Sequence, residues 1–256
     1  MAGQLELNIA FTAGLIGMAL AWRGGLQRYA GFYDSSAAVK YMLYGLVIGT
    51  IFAWVADVQI FREYLQFIDG QAPITPVPFV ISILLSVSLS LLVMLLLTRK
   101  GVLSTRSAPT SGWGLGLGIG AMLAARFAYL SLDDQLHGLS LEGMLGVAII
   151  VTMSPLLEAA LCAGQGALSM QGRRRTGVLG ASAGRFVYMM FLPAAVLTLM
   201  WWVFIMPFVM LLVRLAGREW LPLTLTHEAR RRYRRLLSDN ARRQRESQIA
   251  AVAEDE

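Results

Sequence analysis

Glu158 is the residue best placed to do chemistry in this sequence: a carboxyl midway along an apolar run, three residues after Pro155. Ser154, Cys162, Gln165 and Ser169 recur around it at spacings of three and four, which gathers them with Glu158 into one polar stripe on a helix. Ser82, Ser86 and Ser90 form a second stripe in another run, with a hydroxyl at every fourth residue. Two such stripes facing each other would line a polar seam. Desolvation favours the uncharged form of a carboxyl, so the plainest expectation is a neutral Glu158 hydrogen-bonded to helix hydroxyls. The functional alternative is a small proton-coupled transporter or permease working through Ser82, Ser86, Ser90, Glu158 and Gln165.

Asp57 and Arg126 are the other two charges that stand out within apolar runs. At ~1.5 Å per residue, Asp57 lies ~6 Å from the outer end of its run and Arg126 ~9 Å from the outer end of its own. Their depths match, which suggests an ion pair; the simpler alternative has Arg126 snorkelling to the interface and Asp57 solvated there. Asp133, Asp134 and His137 share one short loop with no second ligand cluster, so a hydrated turn is expected, with no metal and no other cofactor.

The segment Ser154-Pro155-Leu156-Leu157-Glu158-Ala159 resembles the Pro-x-x-Glu-Glu segment of the CAAX-processing and bacteriocin-immunity type of intramembrane glutamic protease. That resemblance, six residues long, implies a second adjacent Glu, a nearby Arg and histidines on later helices. Here Ala159 stands where the second Glu belongs, and neither His137 nor His227 falls within a later apolar run. The groups that would activate water are therefore missing, and a hydrolase ranks third among the functional readings.

The elements that must position these residues are the apolar runs themselves. Residues 7–22, 41–61, 76–98, 112–132, 141–168 and 186–213 each approach or exceed the ~20 residues needed to cross ~30 Å of hydrocarbon. Over 256 residues the chain is 56% hydrophobic and only 15% charged, with a mean hydropathy of +0.59, too apolar for an ordinary soluble domain. The expected fold is all-α: a polytopic bundle of about six membrane helices over residues 1–216, followed by a basic amphipathic tail over 217–256. The first run lacks a basic flank before it and is expected to be a retained helix. Cys162 is the single cysteine, so no intramolecular disulfide can form.

Basic residues alternate from loop to loop. Arg23, Arg28 and Lys40, then Arg99, Lys100 and Arg106, then Arg173, Arg174, Arg175 and Arg185 lie between alternate runs, against Arg62 alone in the other loops. Because basic loops stay cytoplasmic, the N-terminus is expected outside, in what is expected to be a prokaryotic plasma membrane. The last run then poses a problem. A single crossing would leave the nine arginines of 217–256 outside. The expected remedy is a re-entrant hairpin interrupted at Pro193 and Pro207, with arms of ~14 residues that reach only ~21 Å, returning the tail to the cytoplasm.

Small residues should let the helices approach closely. Gly112, Gly116 and Gly120 form one groove and Gly114 with Gly118 another, serving intramolecular packing or, alternatively, a homodimer or partner-protein face. In the tail, Arg230, Arg231, Arg234, Arg235, Arg242 and Arg245 surround an apolar face of Ala229, Tyr233, Leu236 and Leu237 behind a Thr226 cap. This pattern suits docking on anionic lipid head groups at ~1 kcal/mol per arginine, and no nucleic-acid partner is expected. Complete catalytic sets are lacking, so the leading expectation is a non-enzymatic scaffold or accessory membrane component.

Overall fold

The computed structural model describes residues 3–68, 75–133, 136–226, 228–229, 231–233, 235, 238–239 and 242. Among these the fold is all-α with no strand. The principal helices are α1 (Gln4–Gly25), α2 (Ser35–Ala56), α3 (Arg62–Ile68), α4 (Val77–Leu97), α5 (Lys100–Ser104), α6 (Ala108–Ser131), α7 (Leu141–Met170), α8 (Arg174–Leu197) and α9 (Trp202–Leu215). The chain divides into two units, Met1–Thr224 and Leu225–Glu256.

α6 is the centre of the first unit, buried along almost its whole length. Its glycines explain how. A Cβ on Gly112, Gly116 or Gly120 would overlap the main chain of α7 at Cys162, Glu158 or Pro155, and one on Gly118 would overlap α2 at Met42. α2 answers with Gly45 and Gly49 against Leu115 and Ile119. α1 reaches α6 and α7 through Gly14 and Gly17. Lipid gives no hydrophobic drive between helices, so dispersion across these close backbone approaches does the holding. Gly112, Gly116 and Gly120 therefore serve the intramolecular packing against α7.

Pro155 lies inside α7 and has no N–H for the carbonyl of Val151. That carbonyl abuts Gly17 of α1, where any side chain would collide with it.

Seven helical segments, rather than about six, are long and apolar enough to cross a membrane among the described residues. The difference lies in the last apolar stretch. Neither Pro193 nor Pro207 breaks the chain; both sit inside helices. The break comes at Thr198, with extended backbone (φ −147°, ψ 119°). α8 begins at Arg174, well before residue 186, and the second arm continues through Ala216–Trp220 and Leu221–Thr224. The arms are therefore 24 and 26 residues long and need not be re-entrant. At the break, Trp202 Nε1–H donates to the Ala195 carbonyl (3.1 Å) and His137 Nε2 meets the Val196 carbonyl (2.9 Å). Two of the carbonyls orphaned by the helix end are thereby satisfied.

Because the spans alternate, the C-terminal ends of α1 and α9 come together, tied by Tyr29 Oη–H to the Gly217 carbonyl at 2.8 Å. Arg106, before α6, donates to the Leu223 carbonyl at the same end (3.4 Å). In the second unit, the Ala229 amide donates to Thr226 Oγ1 at 3.2 Å. Arg231, Arg235 and Arg242 are exposed, while Arg230, Arg234 and Arg245 lie outside the described residues.

Candidate functional site

α7 carries Glu158, Cys162 and Gln165 on one face, and a single side chain from α8 engages all three. Arg185 Nε–H donates to Glu158 Oε1 and Oε2 (3.1 and 2.9 Å), and its Nη2 lies 2.9 Å from Oε2. Nη1 donates to Ser90 Oγ of α4 (2.7 Å) and Gln165 Oε1 (3.3 Å), and Nη2 donates to Cys162 Sγ (3.0 Å). A guanidinium carries its N–H donors on three nitrogens, and all three nitrogens hydrogen-bond here. Ser90 Oγ–H passes on to the Ser86 carbonyl (2.7 Å), and Gln165 Nε2–H donates to the Ser90 carbonyl (2.8 Å). Arg185 and Glu158 are both fully buried (0% exposed). The result is a closed polar node joining α4, α7 and α8.

One turn along, Ser154 of α7 shares a hydrogen bond with Tyr188 of α8. Arg185 and Tyr188 are three apart, as are turns on one helix face, and they meet residues four apart on α7. This register explains why Ser154 belongs with Glu158 although the two do not touch.

The expected seam is only partly realised. Of the α4 stripe, Ser90 alone joins the node. Ser82 Oγ–H returns to the Pro78 carbonyl of its own helix (2.7 Å), and the Ser86 hydroxyl is buried without a partner. Serine can satisfy itself on the carbonyl one turn back, so hydroxyl spacing does not by itself imply a shared polar channel. Ser169 bonds the Gly166 carbonyl and stays outside the node. Helix hydroxyls are not what holds Glu158: its partner is the Arg185 guanidinium.

Arg185 is a helix residue, not the loop arginine that the run boundaries suggest. α8 starts at Arg174, so Arg185 is three turns inside the helix. The sequence did carry a signal. Gly177, Ala181 and Gly184, at spacings of four and three, put small residues on one helix face and mark a packed helix well upstream of residue 186.

Asp57 and Arg126 meet in a second cluster. Arg126 Nε–H donates to Asp57 Oδ2 (2.9 Å), and Nη2 pairs with the same oxygen. Asp57 opens the π-turn Asp57–Phe61 that follows α2, and its Oδ1 is 3.8 Å from Arg62 Nε. Arg126 also rests over the Tyr129 ring at 5.7 Å. This pair is half open, with Arg126 29% exposed and Asp57 buried.

His137 Nδ1 is 3.9 Å from Glu142, far from Glu158, which lies about 24 Å farther along α7 at ~1.5 Å per residue. Asp133 is described and Asp134 is not. No group of three metal-ligating side chains occurs among the described residues. Comparison with known protein families, curated proteins and solved structures gives no match to this chain.

Proposed function

We propose that this multi-pass membrane protein is a non-enzymatic scaffold or accessory component, in which the intramembrane charges are structural fasteners. The observation that carries the reading is the closure of the Arg185 node. A carboxyl that carries protons must exchange with water or substrate, whereas Glu158 is enclosed and bound by a fully buried guanidinium. The hydrolase reading has no base within reach of Glu158 among the described residues.

Seven crossings would place the N-terminus and tail on opposite sides. With basic loops inside, this gives an external N-terminus and a cytoplasmic tail without any re-entrant segment. Arg230, Arg231, Arg234, Arg235, Arg242 and Arg245 would then face an anionic leaflet and dock the tail there.

The carrier reading is the competitor, and proteoliposomes with an internal pH dye separate the two. Wild type and Glu158→Gln should leak protons equally slowly under an imposed gradient. A wild-type flux that the substitution abolishes would replace the scaffold with a proton-coupled carrier. Membrane-impermeant thiol labelling of a cysteine introduced at Ser238 checks the tail. Cys162 is buried and can stay in place.

A further inference from the structure

One cavity shares no residue with the Arg185–Glu158 node. It has a volume of about 700 Å³ and lies between the C-terminal end of α1 and α9. Its cationic end is formed by Arg28, Arg214 and Arg218. Arg28 donates through Nε and Nη2 to the Gly24 carbonyl, at 3.1 and 2.6 Å, which leaves Nη1 near Gly217. Arg214 and Arg218 have no hydrogen bond or ion pair among the described residues, and no described carboxylate lines the cavity.

Two further features give this cavity a specific chemistry. Trp113 of α6, 1% exposed, forms part of the wall, and its Nε1–H is buried without an acceptor beside Gly25. A donor buried in this way normally has a partner. Secondly, Pro207, Leu211, Arg214 and Arg218 follow the i, i+4, i+7, i+11 spacing of one helix face and all line the cavity. That face changes from apolar to cationic over about 17 Å, and Leu156 of α7 extends the apolar half. A ligand matching this gradient is anionic at one end and hydrocarbon at the other.

We propose that the cavity binds one anionic phospholipid, with its phosphate head group among Arg28, Arg214 and Arg218 and its acyl chain along Pro207 and Leu211. Guanidinium–phosphate contacts are charge-assisted and can be bidentate, and basic pockets between membrane helices suit such head groups. The volume lies within the ordinary range for ligand sites, roughly 300–1,000 Å³. The site uses no residue beyond Leu221 and does not depend on docking by Arg231 or Arg235.

Native mass spectrometry of the full chain, with equimolar phosphatidylglycerol and phosphatidylcholine, tests the proposal. Wild type should retain one phosphatidylglycerol in preference to phosphatidylcholine. Arg214→Gln with Arg218→Gln should weaken retention about 30-fold, at ~1 kcal/mol per arginine. Trp113→Phe keeps a ring but removes the N–H and should weaken it about five-fold. Arg231→Gln with Arg235→Gln, in the tail, should leave retention unchanged. The proposal fails if wild type does not distinguish the two lipids, if the tail pair alone abolishes retention, or if inorganic phosphate occupies the site as well as the lipid does.

Discussion

Removing either partner of the Glu158–Arg185 pair should be far worse than removing both. Arg185→Met leaves the Glu158 carboxylate fully buried with no cation, while Ser90 Oγ, Gln165 Oε1 and Cys162 Sγ lose their donor. Breaking a buried pair in this way costs about 3–5 kcal/mol. Glu158→Leu strands the guanidinium instead, and the loss should be of the same order. In the double variant neither charge remains. Ser90 Oγ still donates to the Ser86 carbonyl, and Gln165 Nε2 still donates to the Ser90 carbonyl. The chief residual penalty is then the unpaired Gln165 Oε1, about 1–3 kcal/mol. The double variant should therefore be more stable than either single variant, with a coupling energy of roughly 3 kcal/mol or more. Denaturant unfolding of the four proteins in mixed micelles measures the cycle. Additive losses, with the double variant the least stable of the four, would show that the two charges do not depend on each other and would remove the basis for treating the node as a fastener.

Three other outcomes follow from the packing and the termini. Gly116→Ala should destabilise by about 1–3 kcal/mol because its Cβ meets the main chain of α7, whereas Gly24→Ala, with nothing within 4 Å, should be close to neutral in the same unfolding assay. Arg126→Gln should cost about 1–3 kcal/mol, less than the loss of Arg185, because the Asp57–Arg126 pair is partly solvated and Arg62 stands 3.8 Å away. At the start of α2, Asp34 Oδ1 accepts from the Ala37 amide (3.0 Å) and from Ser36 Oγ–H (2.9 Å), and these bonds hold its carboxyl below its usual pKa. A lowered folded-state pKa stabilises above the unfolded value of ~3.9 and ceases to do so as pH falls through the folded value. Asp34→Ala should thus cost about 1 kcal/mol near neutrality, and this difference from wild type should shrink in unfolding measurements below pH ~4.

Helix type and membrane class were legible because long apolar runs leave little choice. The glycine alternation in α6 likewise forecast close packing on two faces, and the structure assigns those faces to α7 and α2. Depth arithmetic put Asp57 and Arg126 at one level, where they meet. What the sequence obscured was α8. Hydropathy takes an arginine as the end of a run, so Arg185 closed off its own helix from view and the last stretch was one span short. Partner identity was hidden for a related reason. The Ser154–Glu158–Cys162–Gln165 face is visible by periodicity, but nothing local in the sequence says that the group opposite it is a cation from a helix about 27 residues on.

Small-residue contacts and ion pairs perform different tasks in this bundle. Dispersion between α6 and its neighbours is strong but weakly directional: moving a helix by one turn exchanges one small residue for another four positions away, and Gly112, Gly116 and Gly120 offer three nearly equivalent seats. The Arg185 node admits no such slide. A shift of one turn would carry the guanidinium about 5.4 Å, out of reach of Glu158, Cys162, Gln165 and Ser90 together, and would strand a charge in hydrocarbon. Asp57–Arg126 imposes the same condition between α2 and α6 near the opposite end. Glycine contacts make close approach possible, and the two charge pairs select one register among those that glycine would tolerate. On this argument the two charge pairs contribute specificity of register more than stability.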